Sequence, residues 1–489
     1  MNESTTGTQS PSPPAAPTPA SSSPQVPPLR APPRRPEDPG GLFGRFAFLT
    51  FARDPLGFVE RLARAHPGAA RLPMPGTALV YLTDLDAVGE VLLDRERVFV
   101  KDWNTRVLEV VLGQGLFTSE GELWRRQRSL VAPALHRKQI AAYVDIAARR
   151  AAAYARDRRD GEVRDVKPDM TRLTMEIVAE SLFGADLGDA VTAVAAALDQ
   201  ALRAFETLIY SWRRFAPRSR AAAPVRRRLE DASASLTAVV EQIIARKRGG
   251  AGGRATGDDL LSRLLAARDE GGIGMTDAQV RDEVVTMLLA GHETTAMALS
   301  FGLWFLAGDP VSAQGVAAEA AAVLSGEVVR ADEVSRLTKA NAAFKETLRL
   351  RPPLWLFGRE ARQDFVAGRW QLRAGEQVLI APWLMHRNPR WFADPEVFRP
   401  QRWEGDFEER LPRHAFLPFG SGPRVCAGLH FALMEGAVVV ATLMRQWEVA
   451  RADAGELPLS AAITLRPAGP VRLRFALRPA QPGETQQRA

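Results

Sequence analysis

From about residue 41 onward, apolar positions recur at helical spacing over most of this sequence, broken by a few short alternating stretches. Asp54-Pro55 has the form of a cap followed by a first helical residue, and an amphipathic helix is predicted to about Ala65. The stretches 69–72 and 79–82 predict short strands, after which Asp84 caps a helix ending near Leu93. Residues 98–117 keep no period and are expected to be irregular. Helices are predicted over 138–159, 170–183 and most of 187–247, with a flexible loop at 249–257. Thr276 with Gln279 three residues later forms a capping box, and the apolar pattern behind it runs on until Gly308-Asp309-Pro310. About 30 residues at 1.5 Å each make a helix of roughly 45 Å, long enough to cross the whole molecule. A last helix is predicted from just after Cys426 to Trp447.

The ends of the chain lack this patterning. Residues 1–39 are rich in Pro, Ser, Thr and Ala and read as a disordered leader, and 479–489 as a polar tail. Between them, 40–478 is expected to fold as one large, mainly α domain with small β-sheets. The leader has no run long enough to cross a bilayer and no signal segment, so no transmembrane anchor is expected. Lys plus Arg is 64 against 57 Asp plus Glu, a net charge of +7. Such a balance admits a nucleic acid, an anionic membrane or an acidic protein as partner. No basic tract is interleaved with aromatics, which argues against nucleic acid. The arginines at 213, 214, 218, 220 and 226–228 read as a solvated helix face.

Cys426 is the only cysteine in the sequence. It has no intrachain disulfide partner, and one cysteine makes no zinc site. A lone cysteine is by default a small buried hydrophobe. One thiolate can also ligate a metal whose other ligands belong to a cofactor. Gly420, Gly422 and Pro423 around it suit a tight turn that lets a flat ligand approach the backbone. The predicted helix start beside it favours the thiolate.

Phe419, Gly422, Arg424, Cys426 and Gly428 fill every fixed position of Phe-x-x-Gly-x-Arg-x-Cys-x-Gly. The stretch resembles the cysteine-ligand loop of the cytochrome P450 family, and companion motifs spread the resemblance over most of the chain. The resemblance implies a mainly α fold with small β-sheets and one heme b, with Cys426 as axial ligand of its iron. Phe419 is implied to shield the sulfur, Arg424 to belong to the cofactor-binding loop, and Gly428 to let the next helix pack closely. Trp124 and Arg128, one helical turn apart, match a pair that reaches a heme propionate; by spacing alone Arg128 reads as an exposed residue of an amphipathic helix, and the cysteine loop beside it favours the propionate contact. Arg359 and His386 fall where the family has further propionate contacts; otherwise they are an ordinary strand arginine and loop histidine. Within the long helix, Ala290-Gly291-His292-Glu293-Thr294 matches the run that bulges over the heme and handles protons for oxygen. Glu293 and Thr294 are the implied catalytic pair, Gly291 permits the widening, and His292 reads as a packing residue. Glu346 and Arg349 with Arg402 match a structural network under the heme, with Trp403 where Phe is usual.

The implied activity is monooxygenation: one atom of O2 enters a hydrophobic small molecule, for which a fatty acid or a terpenoid is expected. Trp103, Leu108, Leu208, Ala290, Leu356 and Ile463 are the expected pocket lining. The alternatives are a peroxide-driven peroxygenase, which typically lacks the acid–alcohol pair, and a non-enzymatic heme sensor, which normally carries a signalling module. Electrons are expected from a separate ferredoxin or flavodoxin and its reductase, steered by Arg125, Arg126, Arg137, Lys138 and Arg413. A monomer in the cytoplasm of a bacterium is expected.

Overall fold

The computed structural model describes Met1 and residues 33–38, 47–74, 76–184, 223–249 and 259–479, with parts of 196–207. Local sequence signals set the helix starts. Asp54 accepts from the Gly57 N–H at 3.0 Å and opens the helix Pro55–Ala65. Asp84 accepts from Asp86 and Ala87 and opens Leu85–Leu93. Thr276 and Gln279 complete their capping box at the head of the long helix, Asp277–Leu306. That helix is buried around most of its circumference. By length and composition it could cross a membrane, but its most apolar stretch is 72% buried inside the protein, as befits a core helix. It packs on Val166–Phe183 and, with Thr338–Leu350 and Leu429–Gln446, makes the helical core.

Among the described residues the strands form four small sheets. They are β1 (Ala69–Met74), β2 (Thr77–Leu82), β3 (Phe99–Lys101), β4 (Val163–Asp165), β5 (Phe357–Ala361), β6 (Phe365–Ala367), β7 (Trp370–Leu372), β8 (Gln377–Ile380), β9 (Trp447–Arg451), β10 (Leu459–Ala461), β11 (Leu465–Pro467) and β12 (Arg472–Leu477). The largest has the order β1-β2-β8-β5-β3, with β2 and β8 parallel and its other pairs antiparallel. Residues 98–117 are more regular than expected: β3 is followed by two short helices, Trp103–Val107 and Glu109–Leu112. Pairing with β5, remote in sequence, makes β3 a strand. The expected arginine face survives in part: Arg226 lies 3.5 Å from Glu230 on the helix Ala223–Gly249, whereas residues 208–222 lie outside the described set.

The leader boundary moves. Residues 33–38 lie on the folded body: Arg34 donates its N–H to Arg369 O at 2.7 Å and accepts from Gln371 N at 2.8 Å, and Glu37 O accepts from Arg71 N at 2.8 Å. Pro36 is buried, and the Glu37 carboxylate lies 3.1 Å from His66. Backbone pairing to β1 and β7, which needs no apolar side chains, holds a segment whose composition suggested disorder. Removing residues 1–32 is expected to leave thermal unfolding unchanged. Removing 1–38 also deletes three backbone hydrogen bonds, each worth about 0.5–1.5 kcal/mol. A scan showing equal midpoints for the two truncations would refute the new boundary.

Candidate active site

The cysteine loop is built by backbone bonds and two left-handed glycines. Cys426 N–H donates to Phe419 O at 2.9 Å, and Val425 N–H to Gly422 O at 3.1 Å. Gly420 and Gly422 have φ of 69° and 72°. A Cβ on Gly422 would come within 2.2 Å of Leu92 O, so only glycine fits there. Cys426 is free and exposed, although protein surrounds it closely. Burial pushes the thiol pKa up, while the Gly428 N–H and the Arg128 charge favour the thiolate. Gly428 caps Leu429–Gln446, but a Cβ there would meet only the sulfur, at an ordinary 3.9 Å. The close approach of this helix is made by Gly436, whose Cβ would stand 2.5 Å from the Phe344 ring. Phe419 is partly buried against the core.

A cluster of cations flanks the loop. Arg424 stacks its guanidinium 4.2 Å from the Trp124 ring centre, donates to Ser119 O at 2.9 Å and pairs with Glu120. Arg359 donates to its neighbour Gly358 O, and Lys101 holds its ammonium 5.1 Å over the Phe117 ring. Burial first, then the charges of Arg359 and Arg424, hold Lys101 well below the usual lysine range, and burial with the Arg424 charge lowers the pKa of Arg359, although Glu120 and Asp102 oppose both shifts. Burial also lowers Arg128, against the pull of Cys426. Mutually repelling cations taken out of water need an anion. Sequence reasoning missed Lys101; a lysine directly after Val98-Phe99-Val100 was the available signal.

His386 stands apart from these cations. It is wholly buried, and its Nε2 accepts from the Leu417 N–H at 2.7 Å. Burial, with Arg387 and Arg349 nearby, pushes its pKa down to about 3, so the ring is neutral and cannot offer positive charge to a propionate. It anchors the chain just ahead of the cysteine loop, which corrects the propionate assignment.

Beneath the loop, Glu346 collects five donors. Arg349 Nε and Nη2 bind it at 2.9 and 2.8 Å, Arg402 Nε at 2.9 Å, Trp403 Nε1 at 2.9 Å and the Arg399 N–H at 3.0 Å. The expected network is present, and the unusual Trp403 extends it with a donor that Phe lacks. Arg349 continues to His386 O at 3.0 Å and Pro395 O at 2.6 Å.

In the long helix, Thr294 donates its hydroxyl to Ala290 O at 2.6 Å. The helix is α throughout, so the expected bulge at Gly291 is not present. Gly291 instead permits close packing: a Cβ there would lie 3.0 Å from Val178, and Thr174 donates to His292 O at 2.9 Å beside it. His292 is buried, as a packing residue. The Glu293 carboxylate accepts from Thr464 Oγ1 at 2.8 Å and lies 3.5 Å from Arg466, both from the C-terminal hairpin. Glu435, one helix away, is a buried acid beside the Thr295 hydroxyl, and burial raises its pKa well above the usual range.

A tight apolar crevice, without room for a water molecule, lies among Leu108, Val111, Leu198, Ala201, Phe205 and Leu289. Leu108 was expected there. Ala290 is exposed, the next residue along the same helix, while Trp103, Leu356 and Ile463 pack partly buried against the core. Leu208 lies outside the described residues. Of the cations expected to steer a redox partner, Arg126 is already engaged: it binds Asp269 at 2.6 Å and the carbonyls of Gly274 and Ile273, fixing the turn before the long helix. Arg125 pairs with Glu122, and Arg413 is exposed.

The family model described as cytochrome P450 matches residues 33–474. Cyclooctatin synthase from Streptomyces melanosporofaciens is 34% identical over 442 residues, covering 89% of this chain and 94% of that protein. Cyclooctat-9-en-7-ol 5-monooxygenase from the same organism is 35% identical over 432 residues, 86% and 91% of the two chains. Pentalenene oxygenase from Streptomyces avermitilis is 30% identical over 440 residues, 88% and 94%.

Proposed function

Because the chain belongs to the cytochrome P450 family, and is thus an oxygen-incorporating oxidoreductase, we propose that it holds heme b through Cys426 and oxidises a hydrophobic terpenoid. The observation that carries the cofactor reading is the group of buried cations beside an accessible sulfur. Lys101, Arg128, Arg359 and Arg424 repel one another or lie desolvated, and two propionates supply the anions they need. Trp124 orients Arg424 toward that charge by stacking on it. When bound, a thiolate-ligated heme supplies O–O cleavage and oxygen transfer.

The chain's own residues shape the rest. Leu108, Val111, Phe205 and Leu289 offer a substrate no polar partner, which favours a hydrocarbon skeleton over the carboxylate of a fatty acid. Three relatives named for cyclooctatin, cyclooctat-9-en-7-ol and pentalenene support the same class. Thr294 sits half-buried one turn beyond exposed Ala290, on the side open to reactants, and Glu293 just before it lies in a partly buried ion pair with Arg466. We assign Thr294 to hold a proton-bearing water at its hydroxyl and Glu293 to pass protons to it. This pair also argues against peroxide as the oxidant. Electrons come from a separate ferredoxin or flavodoxin, and the long apolar helix serves as a core helix.

The reduced, carbon monoxide-bound protein is expected to show the far red-shifted Soret band of a thiolate heme. Terpene hydrocarbons are expected to shift the ferric spin state at lower concentration than fatty acids of equal carbon number. Absence of the band would overturn the cofactor reading, and tighter binding of the fatty acids would overturn the substrate class.

A further inference from the structure

Between residues 113–119 and the long helix lies a group of polar atoms that neither the cations nor the Thr294 site uses. Glu283 is wholly buried; Oε2 accepts from the Leu116 N–H at 3.1 Å, and Oε1 has no partner. Gln127, also wholly buried, donates Nε2 to Gln114 O at 2.6 Å and leaves its Oε1 unpartnered. The buried Thr286 hydroxyl is unpartnered too, and a Cβ on Gly115 would come within 2.2 Å of it. Three successive loop residues, Gln114, Gly115 and Leu116, thus each touch a different group short of hydrogen bonds. Buried polar groups in this state are costly, and such clusters hold ordered water.

Burial, more than nearby charge, keeps Glu283 protonated. Asp282, beside it, pairs with Arg281 at 2.8 Å and accepts from the Gln114 N–H at 2.8 Å. Burial chiefly, with Asp282 adding, raises the Glu283 pKa to about 8, against the Leu116 N–H. A carboxylic acid poised near the working pH is suited to proton donation. Along the helix, positions 283, 286, 290 and 294 follow at three- and four-residue spacing and share a face. Ala290 on that face is exposed and Thr294 only half-buried; eleven residues at 1.5 Å each put the two ends of the face about 16 Å apart, a span for several waters.

We propose that Glu283 is a second proton source for the Thr294 hydroxyl, acting through a file of water that starts among Glu283, Gln127 and Thr286 and runs along this face of the helix. This rests on the assignment of Thr294 given above. In the step the Glu283 O–H bond breaks and its proton passes to the adjacent water, which gives one of its own protons to the next water toward Thr294; the carboxylate regains a proton from solvent, and no electrons move. The competing role is purely mechanical: Glu283 pins the loop through Leu116.

Glu283→Gln separates the two, because the amide oxygen still accepts from Leu116 while the acid is gone. In the heme-loaded enzyme this variant is expected to keep its thiolate spectrum. Its kcat should fall roughly three- to tenfold, less than the hundredfold or more of a sole relay. The solvent hydrogen isotope effect on kcat should rise, and the decline of kcat as pH passes about 8 should vanish. Thr286→Val, which conserves shape, should also raise the isotope effect, and it carries the test if Glu283→Gln does not fold. In the infrared, the carbonyl band of a protonated carboxyl at pH 7 should disappear in Glu283→Gln. Stability gives a further sign. A carboxyl whose pKa rises on folding destabilises the native state increasingly as pH climbs from its unfolded value of 4.5 to about 8, so the variant should gain on the wild type across that window. Wild-type isotope effects and pH profiles in both variants, or no protonated-carboxyl band at pH 7, would overturn the proposal. The Thr294 assignment fails separately, if Thr294→Ala remains fully coupled.

Discussion

Replacing Glu346 with alanine is expected to destabilise the folded protein by about 3–5 kcal/mol, the range found when one member of a buried ion pair is removed. Glu346 and Arg349 are both wholly buried, and Arg402 nearly so. The carboxylate is the one negative charge between two guanidiniums, and it also satisfies the Trp403 indole and the Arg399 N–H. Without it Arg402 keeps only carbonyl partners, such as Ala393 O at 3.0 Å, and burial already lowers its pKa. A loss of this size is a large part of the roughly 5–15 kcal/mol that holds a domain together. The damage should reach the cofactor site, because Arg349 also holds His386 O, and His386 holds Leu417 ahead of the cysteine loop. Heme content should therefore fall together with the unfolding midpoint. Trp403→Phe gives a graded control: it removes one hydrogen bond to a charged acceptor, worth about 1.5–3 kcal/mol, and leaves the ion pairs intact. Denaturant titration of both variants tests the network. A cost below about 1 kcal/mol for Glu346→Ala would mean that the charges are not coupled.

Thr294→Ala should have the opposite profile, with little effect on stability and a large one on chemistry. The hydroxyl bonds only the carbonyl one turn back, a contact that adds little to an already closed helix. Unfolding and the thiolate spectrum should stay close to wild type. A positioned proton relay contributes on the order of a hundredfold or more in rate. Product formed per electron should therefore collapse, with reducing equivalents leaving as peroxide. Glu293→Gln should slow turnover as well, since an amide does not relay a proton. It also weakens the contact with Arg466, so its stability must be measured beside its rate. Product and peroxide per electron consumed decide the matter. Full coupling in Thr294→Ala would leave the hydroxyl a purely structural role.

Much of the site was legible where the chemistry is local. The Asp54, Asp84 and Thr276 caps, the length of the core helix and the Glu346, Arg349 and Arg402 set each depend on residues a few positions apart or on a fixed motif. The turn at the cysteine was legible for the same reason: two glycines held at positive φ can be inferred from sequence, because few other residues tolerate it. Contacts between segments remote in sequence were not legible. Lys101 joins Arg359 and Arg424 because β3 pairs with β5, and no local pattern announces that pairing. His386 reads in sequence as a loop histidine free to meet a propionate; in the fold, burial removes its charge and Leu417 takes its lone pair. Residues 33–38 read as disordered because composition measures what a segment can bury, whereas backbone pairing asks only for an open strand edge. Sequence alone therefore determined the family, the turn at the lone cysteine and the helical frame, through short-range caps, turns and a contiguous motif. Tertiary structure alone decided which charges meet, which are desolvated and which acids stay protonated, because those properties depend on neighbours hundreds of residues away.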